Sequence, residues 1–211
     1  MAHNAIMSRP SPVLSRRIIA DTALEMMDRD GYAAFSMPRL GDELGVRTPS
    51  LYHHFRDRAD ILAEVARTVV LKTEVPEWRA GTPWIEHFIE FSVNFRRVIL
   101  AHRNTAPVLL QFMPRDVLLA RYEIAAGEVA EHTGLPASAH VLLLDGLDKI
   151  TIGSALIEAV HPAAGGEGPF PHVDPDGQPR LAAAVRANAL DSEQLFVETL
   201  RAFLAGVSSP G

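Results

Sequence analysis

Between Ser36 and Asp57 the chain is punctuated at intervals too short for anything but a turn-linked pair of helices. Ser36 is of a type that caps a helix N-terminus. Pro38 follows in the first turn, where its missing N–H has no partner to lose. Leu40 and Leu44 lie four apart, and Gly45-Val46 breaks the run. Thr48-Pro49 repeats the start signal, a cap and then proline at the favoured first position. Leu51 and Phe55, again four apart, form an apolar edge, and Asp57 caps what comes next. The spacing predicts helices over 37–44 and about 49–55, joined by a Gly-containing turn. Before them, Ile18, Ile19, Thr22, Ala23, Met26 and Met27 recur at helical spacing over 15–30, and Gly31 stops the run. Three helices, the last two short, describe a helix-turn-helix unit.

The remainder also reads as helix. Periodic apolar stretches predict helices over 58–71, 84–102, 115–133, 138–160, 180–189 and 192–207. A short helical piece lies between Pro107 and Pro114. Thr82-Pro83 repeats the cap-then-proline start, and Asp191 caps the last helix. Residues 1–14 are expected to form a mobile arm; Arg9 within it, and Arg16 and Arg17 just after it, are candidates for phosphate. The stretch 161–179, rich in Gly and Pro, reads as a loop, and its glycines 165–168 are too irregular to be a phosphate loop. No segment alternates every second residue. The expected fold class is all-α: an N-terminal three-helix helix-turn-helix domain over 15–72 and a C-terminal helical domain over 73–211.

Several chemistries are excluded at this level. There is no cysteine, so no disulfide and no thiolate site. HExxH, GxSxG and P-loop patterns are missing, and no enzymatic activity and no cofactor are expected. No apolar run reaches a membrane span and no signal-peptide core opens the chain, so a cytoplasmic protein is the expectation. The net charge of −6 looks wrong for a nucleic-acid partner, but its distribution matters more. Residues 1–72 carry 10 basic and 9 acidic side chains; residues 73–211 carry 10 and 17. The acid surplus therefore sits in the second part.

A helix that enters the major groove must present donors and acceptors to base edges. Thr48, Ser50, Tyr52 and His53 suit that task, and Tyr52 and His54 can also bond phosphate oxygens. Leu51 and Phe55 would pack inward. Arg58, opening the following helix, suits a phosphate. His53 and His54 are not a metal pair, because neighbours on a helix point about 100° apart.

The run Phe35-Ser-Met-Pro-Arg-Leu-Gly-Asp-Glu-Leu-Gly-Val-Arg-Thr-Pro-Ser-Leu-Tyr-His-His-Phe-Arg-Asp-Arg resembles the DNA-binding domain of TetR-type repressors, over about residues 18–62. The resemblance implies that the stretch from Arg47 carries the recognition helix, with Thr48, Pro49, Ser50, Tyr52, His53 and His54 on it. It also implies that Ser36, Arg39 and Arg58 contact the DNA backbone. Pro38 departs from the polar or basic residue many members carry there.

The second part resembles the tetracycline repressors more weakly, over 84–114, at Thr151-Ile-Gly-Ser-Ala-Leu-Ile-Glu and over 195–207. That resemblance implies an effector pocket lined by Phe91, Phe95, Leu109, Met113, Pro114, Tyr122, Val141 and Leu144. Leu109 stands where those repressors place a histidine that ligates a magnesium–drug complex, and leucine cannot ligate a metal. No metal is expected, and the effector is expected to be apolar, uncharged or weakly polar. Asp148 and Lys149, inside an apolar helix, either pair across a dimer or face solvent. One short helix makes too few base contacts for selectivity, so a homodimer on a palindromic operator is expected, built by 138–160 and 192–207. The reading is a repressor released from double-stranded operator DNA when its effector binds. The alternative is a helical small-molecule-binding or scaffold protein with a vestigial helix-turn-helix.

Overall fold

The computed structural model describes residues 14–160, 170 and 173–208. The expected arm with Arg9, and most of the Gly- and Pro-rich stretch 161–179, lie outside the described residues. Among those described there is no strand. Ten α-helices follow in order: α1 Arg16–Asp30, α2 Met37–Leu44, α3 Thr48–Leu51, α4 Arg58–Leu71, α5 Trp84–Ala101, α6 Ala106–Phe112, α7 Arg115–His132, α8 Ala137–Val160, α9 Pro179–Ala187 and α10 Ser192–Ser208. No helix of the described residues is long and apolar enough to cross a membrane.

The caps act largely where the residue types predict them. Ser15 Oγ accepts the Ile18 N–H at 3.3 Å, Ser36 Oγ the Arg39 N–H at 3.4 Å and Asp57 Oδ1 the Asp60 N–H at 2.8 Å. Asp191 Oδ1 accepts the Gln194 N–H at 2.8 Å. Two expected caps differ. Thr48 is the first helical residue of α3, and Arg47 is the N-cap, with no side-chain bond. Pro83, not Thr82, is the N-cap of α5. Pro49 is therefore the second residue of α3, one position later than expected, and Pro83 precedes the first residue of α5, one position earlier. The α3 helix also closes early: the chain continues from Leu51 as turns through His54, with Phe55 N–H still donating to Leu51 O at 3.0 Å.

Gly41 permits the close turn between α2 and α3. A Cβ there would meet Val46 O at 2.9 Å and Thr48 N at 3.4 Å, both backbone atoms that cannot swing away. Gly45, with φ of 67°, takes the left-handed conformation that ends α2.

Two apolar cores run through the molecule. The first joins α1–α4 to the C-terminal half of α5, to α6 and to the C-terminal end of α8, through residues such as Ile19, Leu40, Leu62, Ile99, Leu109 and Leu156. The second packs α5, α7, α8 and α10 around Phe88, Leu143, Phe196 and Leu200. The first core thus crosses the boundary expected at residues 72–73. Buried Arg96 fastens the second unit. Its guanidinium donates to Glu158 Oε2 at 2.5 Å, Ser192 Oγ at 2.9 Å and Ser154 Oγ at 3.3 Å, tying α5 to α8 and α10.

Candidate nucleic-acid interface and effector cavity

At one end of the molecule, α2 and α3 hold the segment 47–55 against α1 and α4. Leu51 and Phe55 are fully buried, and Leu40 meets them in the same core. That fixes which side chains face out. Tyr52 is 51% exposed. Arg47, Pro49 and His53 are exposed; Thr48, Ser50 and His54 are half-buried beside them. Ser36 is occupied as a cap. Arg39 already donates to Asp30 Oδ2 at 2.7 Å and to Ala34 O at 2.9 Å. Arg29 and then Arg39 hold the Asp30 carboxyl below the usual carboxylate range. Arg58 is exposed, with its guanidinium over the rings of Phe35 and Tyr32, 5.2 and 5.4 Å from their centroids.

Arg16, expected to be available to phosphate, is instead a clamp. Its Nη1 donates to His54 O at 2.6 Å and its Nη2 to Asp60 Oδ1 at 3.2 Å and Glu64 Oε2 at 3.3 Å. The guanidinium also lies 3.9 Å from the centroid of Phe55. It therefore holds the end of the exposed segment against α4. Its partners lie 38 to 48 residues away in sequence, so no local pattern announces them. Arg16→Met is expected to lower stability by about 1–2 kcal/mol, a fall in Tm of about 2–8 °C. The pH dependence has a definite sign. Arg16 and the Arg56 N–H pull the Asp60 pKa down, so this contribution is full above the ordinary Asp pKa and is lost as pH falls through the depressed value. The gap between the melting curves of the two proteins should therefore narrow at acid pH to what the His54 O and Phe55 contacts supply; an unchanged gap down to pH 2 would refute the ion pair with Asp60.

At the other end, α5, α7 and α8 enclose a two-lobed cavity. The larger lobe has about 530 Å³ free of protein atoms, part of it open to solvent, and is lined by Phe88, Phe91, Phe95, Leu118, Tyr122, Leu144, Leu147, Asp148 and Thr151 among others. The smaller lobe, about 390 Å³ by the same measure, adds Val75, His87, Ile124 and Glu128. The lobes share Phe88, Phe91, Arg121 and Ala125.

Phe91, Phe95, Tyr122 and Leu144 of the expected pocket are in this lining. The other four are not. Leu109 is 1% exposed inside the first core, because α6 turns that face onto α4. Met113 packs against the same core, and Pro114 is buried at the start of α7. Val141 is 74% exposed on α8. Asp148 faces neither bulk solvent nor Lys149: it accepts the Tyr122 hydroxyl at 2.6 Å, while Lys149 donates to Asp145 at 2.6 Å. Burial raises the Asp148 pKa, the Tyr122 bond opposes this and Asp145 adds to it; burial and then Asp148 push the Tyr122 phenol up. Sequence reasoning missed Arg121, Asp148 and Thr151 as lining residues. The cavity wall is aromatic, but it is not purely apolar.

Comparison with known proteins places both ends in context. Residues 19–65 match the family described as bacterial regulatory proteins, tetR family. An HTH-type transcriptional regulator of Saccharopolyspora erythraea is 35% identical over 95 residues, which are 45% of this chain and only 40% of that relative. The tetracycline repressor protein class D of Escherichia coli is 25% identical over 197 residues, 92% of this chain and 88% of the repressor. Among solved structures, apo ActR from Streptomyces coelicolor superposes with a TM-score of 0.74 at 27% identity, covering 95% of this chain and 97% of ActR. ActR in complex with actinorhodin superposes with a TM-score of 0.71 at 28% identity, covering 92% and 96%.

Proposed function

This chain belongs to the tetR family of bacterial regulatory proteins, and on that premise we propose that it is a cytoplasmic, homodimeric repressor, released from a palindromic operator when a small, largely aromatic or apolar organic molecule enters the cavity between α5, α7 and α8. The observation that carries the reading is the pairing of two ends. A segment with Tyr52 outward and Leu51 and Phe55 inward stands at one, and a Phe-walled cavity at the other. A single packed core connects the first to the helices that bound the second.

The DNA-contacting set is Thr48, Ser50, Tyr52, His53 and His54 toward bases or phosphates, with Arg47, Pro49 and Arg58 at its margins. Ser36 and Arg39 approach the backbone from α2, and Arg39 shares its donors with Asp30. Residues 15–72 act as the reading head and 73–211 as the effector and dimer part. Support for the dimer comes from α8, where Val141, Leu142, Ile157 and Val160 are each more than half exposed. Apolar side chains in that number on one long helix ask for a partner surface. Two heads related by a two-fold axis would meet half-sites about 34–36 Å apart, or close to it. The related ActR has been solved both free and with a bound small molecule.

The route of the signal follows the packing. The α7 helix forms one cavity wall, and Asp116 near its start pairs with Arg67 of α4. The α5 helix forms another wall, and its end joins α1 through His102, whose Nδ1 lies 2.7 Å from Asp28 Oδ2. An effector that spreads α5 and α7 therefore pulls on both flanks of the head. Coupling of this kind is reciprocal: operator DNA must weaken effector binding by the same factor.

Fluorescence anisotropy on the promoter DNA beside the protein's own gene, at fixed ionic strength, tests the reading. Binding tighter than to a scrambled duplex by about 10³-fold is expected. Equal affinity for both duplexes would leave the vestigial alternative standing.

A further inference from the structure

Two guanidinium groups lie inside the effector half, Arg96 buried and Arg121 half-buried, and the chain treats them differently. Arg96 meets Glu158, Ser154 and Ser192. Arg121, on α7, lines both lobes of the cavity and has only one long bond, from Nη2 to Thr73 O at 3.5 Å. Its buried Nη1 finds no partner among the described residues. Burial pulls the Arg121 pKa down. A cation drawn partly out of water with a buried donor unused is costly, and such groups are normally paired.

The carboxylates lining the lobes are engaged elsewhere. Asp148 accepts the Tyr122 hydroxyl, and Glu128 lies 3.4 Å from His87 Nε2. A second polar group independently points to a ligand. Thr151 is 2% exposed, lines the larger lobe, and its Oγ1 has no hydrogen-bond partner among the described residues. Around these groups the walls are aromatic, with Phe88 and Phe91 shared by both lobes.

We propose that the effector is an elongated aromatic acid, whose rings lie along Phe88 and Phe91 and whose anionic oxygen, a carboxylate or an ionised phenol, is bound by Arg121 where the two lobes meet. The inference rests on the cavity being the effector site, as proposed above. It adds a charge requirement that the apolar walls alone do not give. A guanidinium bonded to an anionic oxygen discriminates strongly against an uncharged analogue of the same shape.

The test uses anthracene-2-carboxylate and its uncharged methyl ester as probes, with the full-length protein and calorimetric titration. The acid is expected to bind about 10- to 100-fold more tightly than the ester. Arg121→Met should erase that preference, and Arg121→Lys, which retains a cation, should keep part of it; ester binding by both variants shows that the cavity survives the substitution. Ala125→Phe fills the region common to both lobes and separates the two levels of the argument. Acid and ester binding equally, both blocked by Ala125→Phe, overturns the charge requirement and keeps the site. Binding of either probe that ignores Ala125→Phe, or binding of neither, overturns the site and the requirement together. An acid preference that persists in Arg121→Met removes Arg121 from the role.

Discussion

Alanine in place of Tyr52 is expected to lower operator affinity at least 30-fold while leaving the fold and the proposed dimer intact. The ring is half exposed, so its removal takes little from the core, within about 0.5 kcal/mol. On DNA the same side chain is expected to make a base or phosphate contact worth about 1–3 kcal/mol. A two-fold dimer loses that contact twice, about 2–6 kcal/mol in all, which sets the lower bound of about 30-fold. Anisotropy titration reads the affinity, and sedimentation reads the dimer. Tyr52→Phe separates the hydroxyl from the ring: a loss as large as that of alanine would assign the contact to the oxygen. Affinity unchanged in Tyr52→Ala would take the residue off the reading face.

Leu109→Arg is expected to be the most damaging single change considered. Leu109 is 1% exposed in the core that α6 shares with α4. An unpaired guanidinium there costs on the order of 5 kcal/mol, comparable with the whole stability of many domains. Effector response and operator binding should therefore disappear together, with loss of the cooperative melt followed by circular dichroism. A true lining residue would behave otherwise and lose effector response alone. If Leu109→Arg melts within a few degrees of the parent protein, α6 does not pack as described.

The contrast shows what the sequence made legible. Helix starts and stops are local, so Ser36, Asp57, Asp191, Gly31 and Gly45 could be read from neighbouring residues. Thr48 and Thr82 were misread because a hydroxyl before proline resembles a cap whether or not an N–H is free to meet it. The inward face of 47–55 was legible because Leu51 and Phe55, four apart, must pack together. Pocket residues are another matter. Helical spacing fixes the angle between Leu109 and its neighbours on α6, but only the packing of α6 on α4 decides which angle faces the cavity. Arg16 and Arg121 were beyond reach for the same reason. What matters about each is a partner, or the want of one, brought by another helix.

The core that runs from α1 through α4 into α5, α6 and the end of α8 bears on how such proteins diversify. A head that were a separate bead on a tether could be exchanged between regulators by cutting the tether. Here a cut after Lys72 would strip Ile61, Leu62, Val65 and Val69 of the faces supplied by Ile99, Val108 and Leu109. The inheritable unit is larger than residues 15–72. On the proposed reading, new operator preferences would be reached most readily by point substitution on the outward positions of 47–54. New effector preferences would arise in the cavity lined by α5, α7 and α8, whose residues lie largely outside the shared core, so on that reading the two specificities can drift independently although the chain cannot be recombined between them.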